Sequence, residues 1–319
     1  MNAPRDNPAN EQYQPSNPYY RSKLSTTDHD TIYLTNPLPP SSEIGIDQIP
    51  PLEFRELTAL IARNFGIHIG QNKVTLLTGR MYPMLKKYNF ASHRACIDAI
   101  KRDNTGELLS ELVNRISTNH TAFYREEAHF RLLMEKVLPD LVEQKRRIGF
   151  PDIRIWCAAC ATGEEAYTIM FCLRKFLGAE YDKWQAGVLA TDISAEALRT
   201  ASKGIYNAAR MEPVPMDVRL NCFNQLSPDS FEVKASIRRE ITFRRLNLVS
   251  DAFPFRKPFD IIFCRNVMIY FPRPLRENLM ARLRDWLIPG GYLFIGHSES
   301  LSGLNDGYSY AAPAIYIRS

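Results

Sequence analysis

The chain has 319 residues, 45% of them apolar, with 40 Lys and Arg against 35 Asp and Glu and a net charge of +5. That length suits one large domain or two small ones around a real core, and so mild a positive excess does not by itself argue for a nucleic-acid partner. No run reaches the roughly 18 apolar residues of a membrane span, no charged-then-apolar leader opens the chain, and the six cysteines (96, 157, 160, 172, 222, 264) fall in apolar patterns, so a reduced, cytoplasmic protein is expected.

Residues 1–50 are rich in Pro, Asn, Ser and Thr, with sparse, aperiodic apolar residues, and are expected to form a disordered tail. Residues 51–117 read as a helical domain. Leu57, Leu60, Ile61 and Phe65 recur at helical spacing and Gly66 supplies a stop. A second helix is expected over 71–88, weakened by Gly79 and Pro83. Ser92 caps a third, and Asn104 with Glu107 looks like the capping box of a fourth. Residues 118–150 hold a polar link and then a connecting helix to about Arg147, with Pro139 as a kink or break.

From 151 to 319 strands and helices alternate. Strands are expected at 152–157, 186–191, 240–245, 259–264, 290–296 and 312–318, with helices near 163–177, 194–202 and 274–288. Alternation of this kind predicts an α/β fold with a doubly wound parallel sheet. The stretch 203–239 holds Pro213, Pro215 and Pro228 and then SFEVKASI, and reads as a small β-subdomain insertion. No internal repeat is present.

Two strand ends carry polar loops. IRIWCAACATGEEAYTIM (153–170) runs into a loop of small residues and a helix opening with Glu164 and Glu165, and FDIIFCRNVMIYF (259–271) runs into Arg265 and Asn266. In open α/β sheets the ligand lies beyond such strand ends. Small residues admit a cofactor close to the backbone. Two acids at a helix start disfavour a phosphate and tolerate a cationic cofactor such as S-adenosylmethionine. Asp192 ends the second strand and can accept two ribose hydroxyls, or Asp-x-Ser is simply a helix cap. Asn247 can meet an adenine edge, or merely end a strand in a turn.

Arg265 is a charge at the end of a buried strand and needs a partner or a ligand. Arg125, in the polar link, and Tyr270, past Asn266, are the candidate substrate contacts; their bland readings are a surface ion pair and a core aromatic. Cys157-x-x-Cys160 looks like a redox pair, but two following glutamates raise a thiol pKa, so packed thiols are expected. His297-Ser298-Glu299 cannot form a hydrolase relay, because neighbours in extended chain face opposite ways; it reads as a strand end and turn. The histidines lack metal-ligand spacing and there is no second Cys pair, so no metal site is expected.

TNHTAFYRE (118–126), CAACATGEEAYTI (157–169), TDIS (191–194), CRNVMIYF (264–271) and GHSES (296–300) resemble, in order, the chemoreceptor glutamate methyltransferases of the CheR family. The resemblance runs from about 52 to 319. It implies an all-α N-terminal domain and a class I methyltransferase domain with a β-subdomain. It further implies methyl transfer from S-adenosyl-L-methionine, leaving S-adenosyl-L-homocysteine, to glutamate side chains of a chemoreceptor's cytoplasmic domain. By position the family's cofactor contacts fall on Asn119, Thr121, Arg125, Glu164, Asp192, Asn247, Leu248, Arg265 and Asn266, and Tyr270 matches the tyrosine near the transferred methyl; Arg125 and Tyr270 are the catalytic candidates. The family's basic second helix is thinner here: Arg80, Lys86 and Lys87 remain, and Pro83 and Met84 stand where basic residues are typical.

Some family members hold a receptor's C-terminal pentapeptide on the β-subdomain through a glycine-rich hairpin turn. The corresponding stretch, Asn224 to Ser230, has no glycine and includes Pro228, so no such tether is expected. A monomer without nucleic-acid or membrane partners is expected. Two rival readings are an amino-group or nucleic-acid methyltransferase, faintly echoed by Asn266-Val-Met-Ile-Tyr270, and a catalytically silent cofactor-binding module.

Overall fold

The protein is described from a computed structural model covering residues 47–116, 121–301 and 307–319. Most of the expected tail therefore lies outside the described residues. The described chain packs as two units, one of 47–64 with 69–116 and one of 65–68 with 121–301 and 307–319.

The first unit is all helical: α1 (Pro51–Phe65), α2 (Val74–Lys87, entered through a 3-10 turn at Gln71–Lys73), α3 (His93–Arg102) and α4 (Glu107–Ile116). Apolar residues three and four apart give each helix one inward face, and Leu57, Ile61, Leu77, Met81, Ile97, Leu112 and Val113 are buried together. Ser92 caps α3 as expected, accepting the Ala95 N–H at 3.1 Å. The start of α4 differs from the expected Asn104–Glu107 box. Asp103 does the work, accepting the Thr105 N–H at 2.9 Å and the Leu108 N–H at 2.8 Å, because its carboxylate is charged and reaches over the turn. Glu111 gathers Lys87 at 2.8 Å and the Tyr88 hydroxyl at 2.7 Å, so part of the positive charge of α2 is spent internally.

The second unit opens with α5 (Glu127–Leu132), a π turn (Leu133–Val137) and α6 (Leu138–Arg147). The expected disturbance at Pro139 takes this form: a proline ring crowds the carbonyl four residues back, here Glu135, and the wider turn makes room. Then follow β1 (Asp152–Ala158), α7 (Glu164–Leu177), β2 (Gln185–Asp192), α8 (Ala195–Lys203), β3 (Ile205–Asn207), α9 (Met216–Cys222), β4 (Phe223–Ser227), β5 (Ser230–Val233), α10 (Ala235–Arg238), β6 (Ile241–Arg245), β7 (Phe259–Cys264), α11 (Arg273–Asp285), β8 (Leu287–Ile295), β9 (Tyr308–Ala312) and β10 (Ile315–Arg318).

Seven strands form one sheet in the order β6-β2-β1-β7-β8-β10-β9. The first five are parallel, and β10 is antiparallel to both its neighbours. This is the doubly wound sheet expected from the alternation. The chain order reverses between β1 and β7, where Ala158 stands opposite Cys264. Side chains alternate across the sheet: Ile153, Ile155, Ile261 and Phe263 join the core beneath α5 to α7, while Trp156, Ile262, Leu293 and Ile295 join the core beneath α11. The insertion is a separate three-stranded antiparallel sheet, β3-β5-β4.

Two expectations are corrected here. The stretch 312–318 is not one strand: the chain turns at Pro313 and Ala314, with Ala314 at φ 59°, to make the β9–β10 hairpin. The β4–β5 connection is not a seven-residue turn either. Pairing continues to Ser227 opposite Ser230, leaving Pro228 and Asp229 between them.

Candidate active site

The crevice expected at a topological switch point lies beyond the carboxyl ends of β1 and β7. Both motif-bearing loops leave the sheet there, side by side. In the first, Ala159, Ala161 and Gly163 take φ of 61°, 48° and 98°. Such left-handed conformations cost a side-chain-bearing residue conformational energy, and at Gly163 a Cβ would come within 2.8 Å of the Ala201 Cβ. The alternation turns the loop's N–H groups inward. Cys160 N donates to the Thr191 carbonyl at 2.9 Å, and Ala161 N donates to Asp192 Oδ2 at 2.8 Å.

Asp192 is buried at the end of β2, and its Oδ1 accepts the Ser194 N–H at 2.8 Å. The helix cap in Asp-x-Ser is Ser194, whose Oγ accepts the Ala197 N–H at 3.0 Å. Two of about four acceptor sites on the carboxylate are thereby used, and two are left for a diol. Burial pushes this carboxyl up, and the backbone N–H groups pull it back.

The two acids opening α7 part company. Glu164 is fully buried; it accepts the Thr162 hydroxyl at 2.7 Å and is paired with Arg210 from the insertion. Glu165 is paired with Arg265 and takes the Cys157 thiol at 3.3 Å. Burial, with Glu165 beside it, pushes the Cys157 thiol well up, and burial does the same to Cys160. Both cysteines are therefore packed protonated thiols, as the glutamates implied.

Arg265 has the partners that a buried charge requires. Its side chain is wholly buried, with one Nη on Glu165 and the other 3.0 Å from Glu126 Oε2 and 2.6 Å from the Arg125 carbonyl. Its guanidinium lies 5.5 Å from the Phe130 ring centroid. Although burial opposes charge there, Glu165 and Glu126 hold Arg265 cationic. The result ties the polar link to both strand-end loops. Asn266, at φ 57°, donates through Nδ2 to Glu126 Oε1 at 3.3 Å. Tyr270 closes a 3-10 turn (Met268–Tyr270) and is half-buried against the α11 core.

Arg125, Asp192, Arg265, Asn266 and Tyr270 thus all lie on the loops around one end of the sheet. Asn247 and Leu248 are buried just past β6; Asn247 Oδ1 accepts the Val249 N–H at 3.1 Å, the turn role of its bland reading, and Leu248 joins the α11 core. Thr121 is half-buried at the start of the described link, and Asn119 lies outside the described residues. Glu126, Glu165 and Arg210 were not singled out as site residues from sequence. The signal for Glu126 was present: a charge following Arg125 in a link that leads into a buried aromatic.

Glu126, His129 and His297 bring three ligand-type atoms within 4.8 Å. Glu126 Oε2 already accepts from Arg265 and, at 3.2 Å, from the His297 N–H, and the neighbouring guanidinium repels a second cation. A groove of about 600 Å³ runs along β1, β2 and β6 past Arg154, Thr242 and Phe255, but none of the candidate residues lines it.

S-adenosylmethionine fits the crevice. The small-residue loop allows close approach and Asp192 keeps acceptor capacity for a diol, while the charges of the two acids opening α7 are met by Arg210 and Arg265. Comparison with known proteins agrees. Residues 52–117 match the CheR methyltransferase all-alpha domain, and residues 119–316 match the CheR methyltransferase SAM binding domain. A chemotaxis protein methyltransferase of Borreliella burgdorferi is 39% identical over 267 residues, covering 84% of this chain and 94% of that protein. Chemotaxis protein methyltransferase Cher2 of Pseudomonas putida is 32% identical, covering 81% and 93%. Chemotaxis protein methyltransferase 1 of Pseudomonas aeruginosa is also 32% identical, covering 84% and 97%. With both domains matched and relatives 32–39% identical over most of the chain, the chain belongs to the CheR methyltransferase family.

Proposed function

We propose that this enzyme methylates glutamate side chains in the cytoplasmic domain of a chemoreceptor. The observation that carries the reading is the meeting, at one end of the sheet, of the small-residue loop with Asp192 and the loop of Asn266 and Tyr270. The family supports the substrate class. S-adenosylmethionine, when bound, supplies an electrophilic methyl group. The chain's own residues bind and align. Asp192 holds the ribose, Asn247 and Leu248 border the adenine, and Asn119, Thr121, Glu164, Arg265 and Asn266 complete the cradle. Arg125 orients a carboxylate, and Tyr270 donates a hydrogen bond and shapes the methyl pocket.

A glutamate with a pKa of about 4.3 is roughly 99% ionised or more at pH 7, so it is already a nucleophile and no general base is required. Alignment in a desolvated site contributes on the order of 7–11 kcal/mol. Arg265 is neutralised by two glutamates, which keeps its charge from trapping the substrate carboxylate in the ground state.

We also propose that receptor recognition needs no pentapeptide tether. The β4–β5 turn has no glycine, and Pro228 removes a donor. We further propose that the enzyme acts as a monomer. Among the described residues no helix is long and apolar enough to cross a membrane.

The test is transfer of labelled methyl from S-adenosylmethionine to receptor-containing membranes. Base-labile label on the receptor is expected. Base-stable label would favour the amino-group rival, and cofactor binding with no turnover would favour the silent module.

A further inference from the structure

Glu299 stands in the turn after β8, where the Glu299 N–H donates to the Gly296 carbonyl at 2.9 Å. Its side chain folds back toward the switch point. Oε2 accepts the Gly296 N–H at 2.6 Å and the Asn266 N–H at 3.0 Å, and Oε1 accepts the Met268 N–H at 2.8 Å. One carboxylate therefore collects three backbone donors, and two of them belong to the loop that leaves β7. One of those, on Met268, opens the 3-10 turn that ends at Tyr270, where N–H groups have no partner within the turn. The other belongs to Asn266, which is held at a left-handed φ of 57° that a residue with a side chain adopts at a cost. Space for this is made at Gly296, where a Cβ would sit 2.5 Å from Asn266 Nδ2 and 3.0 Å from Glu299 Oε2.

We propose that Glu299 is a positioning residue for methyl transfer: it fixes the Asn266–Tyr270 loop in its working shape through its negative charge. The proposal rests on the reading of that loop as part of the methyl-transfer site. The charge is essential because both oxygens face N–H groups. In Glu299→Gln, whichever way the amide turns, its NH2 meets at least one backbone donor, and the loop has to shift. The first loop and Asp192 are held by other bonds and stay in place.

Two measurements test this. Amide hydrogen exchange on the free protein reads the loop directly. In Glu299→Gln, exchange of a peptide spanning 265–271 is expected to rise at least about tenfold, while peptides from β1 and β2 keep their protection. Turnover with receptor membranes is then compared for Glu299→Gln, Tyr270→Phe and the double variant. Glu299→Gln is expected to lower kcat about tenfold or more, with a smaller change in cofactor Kd. The double variant should lose less than the product of the two single losses. Glu299→Asp, which keeps the charge one methylene short, should recover part of kcat, and it supplies the same readings should the amide variant fail to fold. Wild-type kcat in Glu299→Gln, unchanged exchange at 265–271, or, where Tyr270→Phe is itself slow, losses that multiply would overturn the proposal. A wild-type rate in Tyr270→Phe beside a slow Glu299→Gln sinks the tyrosine's role instead, and the exchange result then upholds the positioning role.

Discussion

Asp192→Ala is expected to damage cofactor binding and the loop that shapes the crevice. The carboxylate takes the Ala161 and Ser194 N–H groups at 2.8 Å each, and by proposal it takes two ribose hydroxyls on its remaining acceptor sites. Hydrogen bonds to a charged group are worth about 1.5–3 kcal/mol each. Losing the ribose pair costs about 3–6 kcal/mol of affinity, a factor of roughly 10² to 10⁴ in Kd. Losing the backbone pair lowers the stability of the unit by a similar order. Asp192→Asn keeps the volume and one acceptor oxygen, but its NH2 then meets one of the two backbone N–H groups, so it is expected to fall between wild type and Asp192→Ala in both stability and affinity. Calorimetric titration with S-adenosylhomocysteine, run beside a thermal melt, reads both quantities. A folded Asp192→Ala with Kd within twofold of wild type would falsify the placement of the cofactor.

Other expectations follow from the same geometry. Tyr270→Phe should slow turnover while cofactor affinity holds, and Arg125→Ala should weaken both. The Arg125 carbonyl bonds Arg265 and survives that change, so the assay isolates the guanidinium; wild-type kinetics in both variants would remove these residues from the site. Burial, with Arg265 nearby, holds His129 at about 4, below its ordinary 6.5. Between these values the unfolded chain binds a proton that the folded one refuses. Stability is therefore full above pH 6.5 and falls by about 3 kcal/mol as pH drops toward 4. His129→Phe should flatten that limb of a denaturant-melt series, and an unaltered slope would show that another group is responsible. An isolated receptor tail pentapeptide should not bind, and micromolar affinity at the β-subdomain would reverse the tether proposal.

The buried parallel strands were legible because a strand covered on both faces is a continuous apolar run. FDIIFC (259–264) is a strand over its full length, β1 runs one residue past its expected end, and β2 extends one residue beyond its expected bounds at each end. The β9–β10 hairpin was not legible. Its turn, Pro313–Ala314, lies among alanines that carry no polar turn signal, and Ala314 reaches its left-handed φ without the usual glycine or asparagine. Within the site, the need of Arg265 for partners could be read from its place after IIFC. Their identity could not, since Glu165 is 100 residues distant in sequence and nothing local marks it. Glu299 was hidden for a related reason: its three donors are backbone groups, which leave no trace in side-chain chemistry.

The position of β10 sets an order on how the sheet is completed. It is the last strand along the chain, yet it sits between β8 and β9, not at the rim. β9 is synthesised first but has no place to dock until β10 has paired with β8. The hairpin must therefore close locally around Pro313 and Ala314 and then add as one piece, with β10 leading. A chain cut just before Ile315 loses four residues of strand yet strands β9 as well. The margin beside β8 then becomes an exposed edge, open to pairing with another chain.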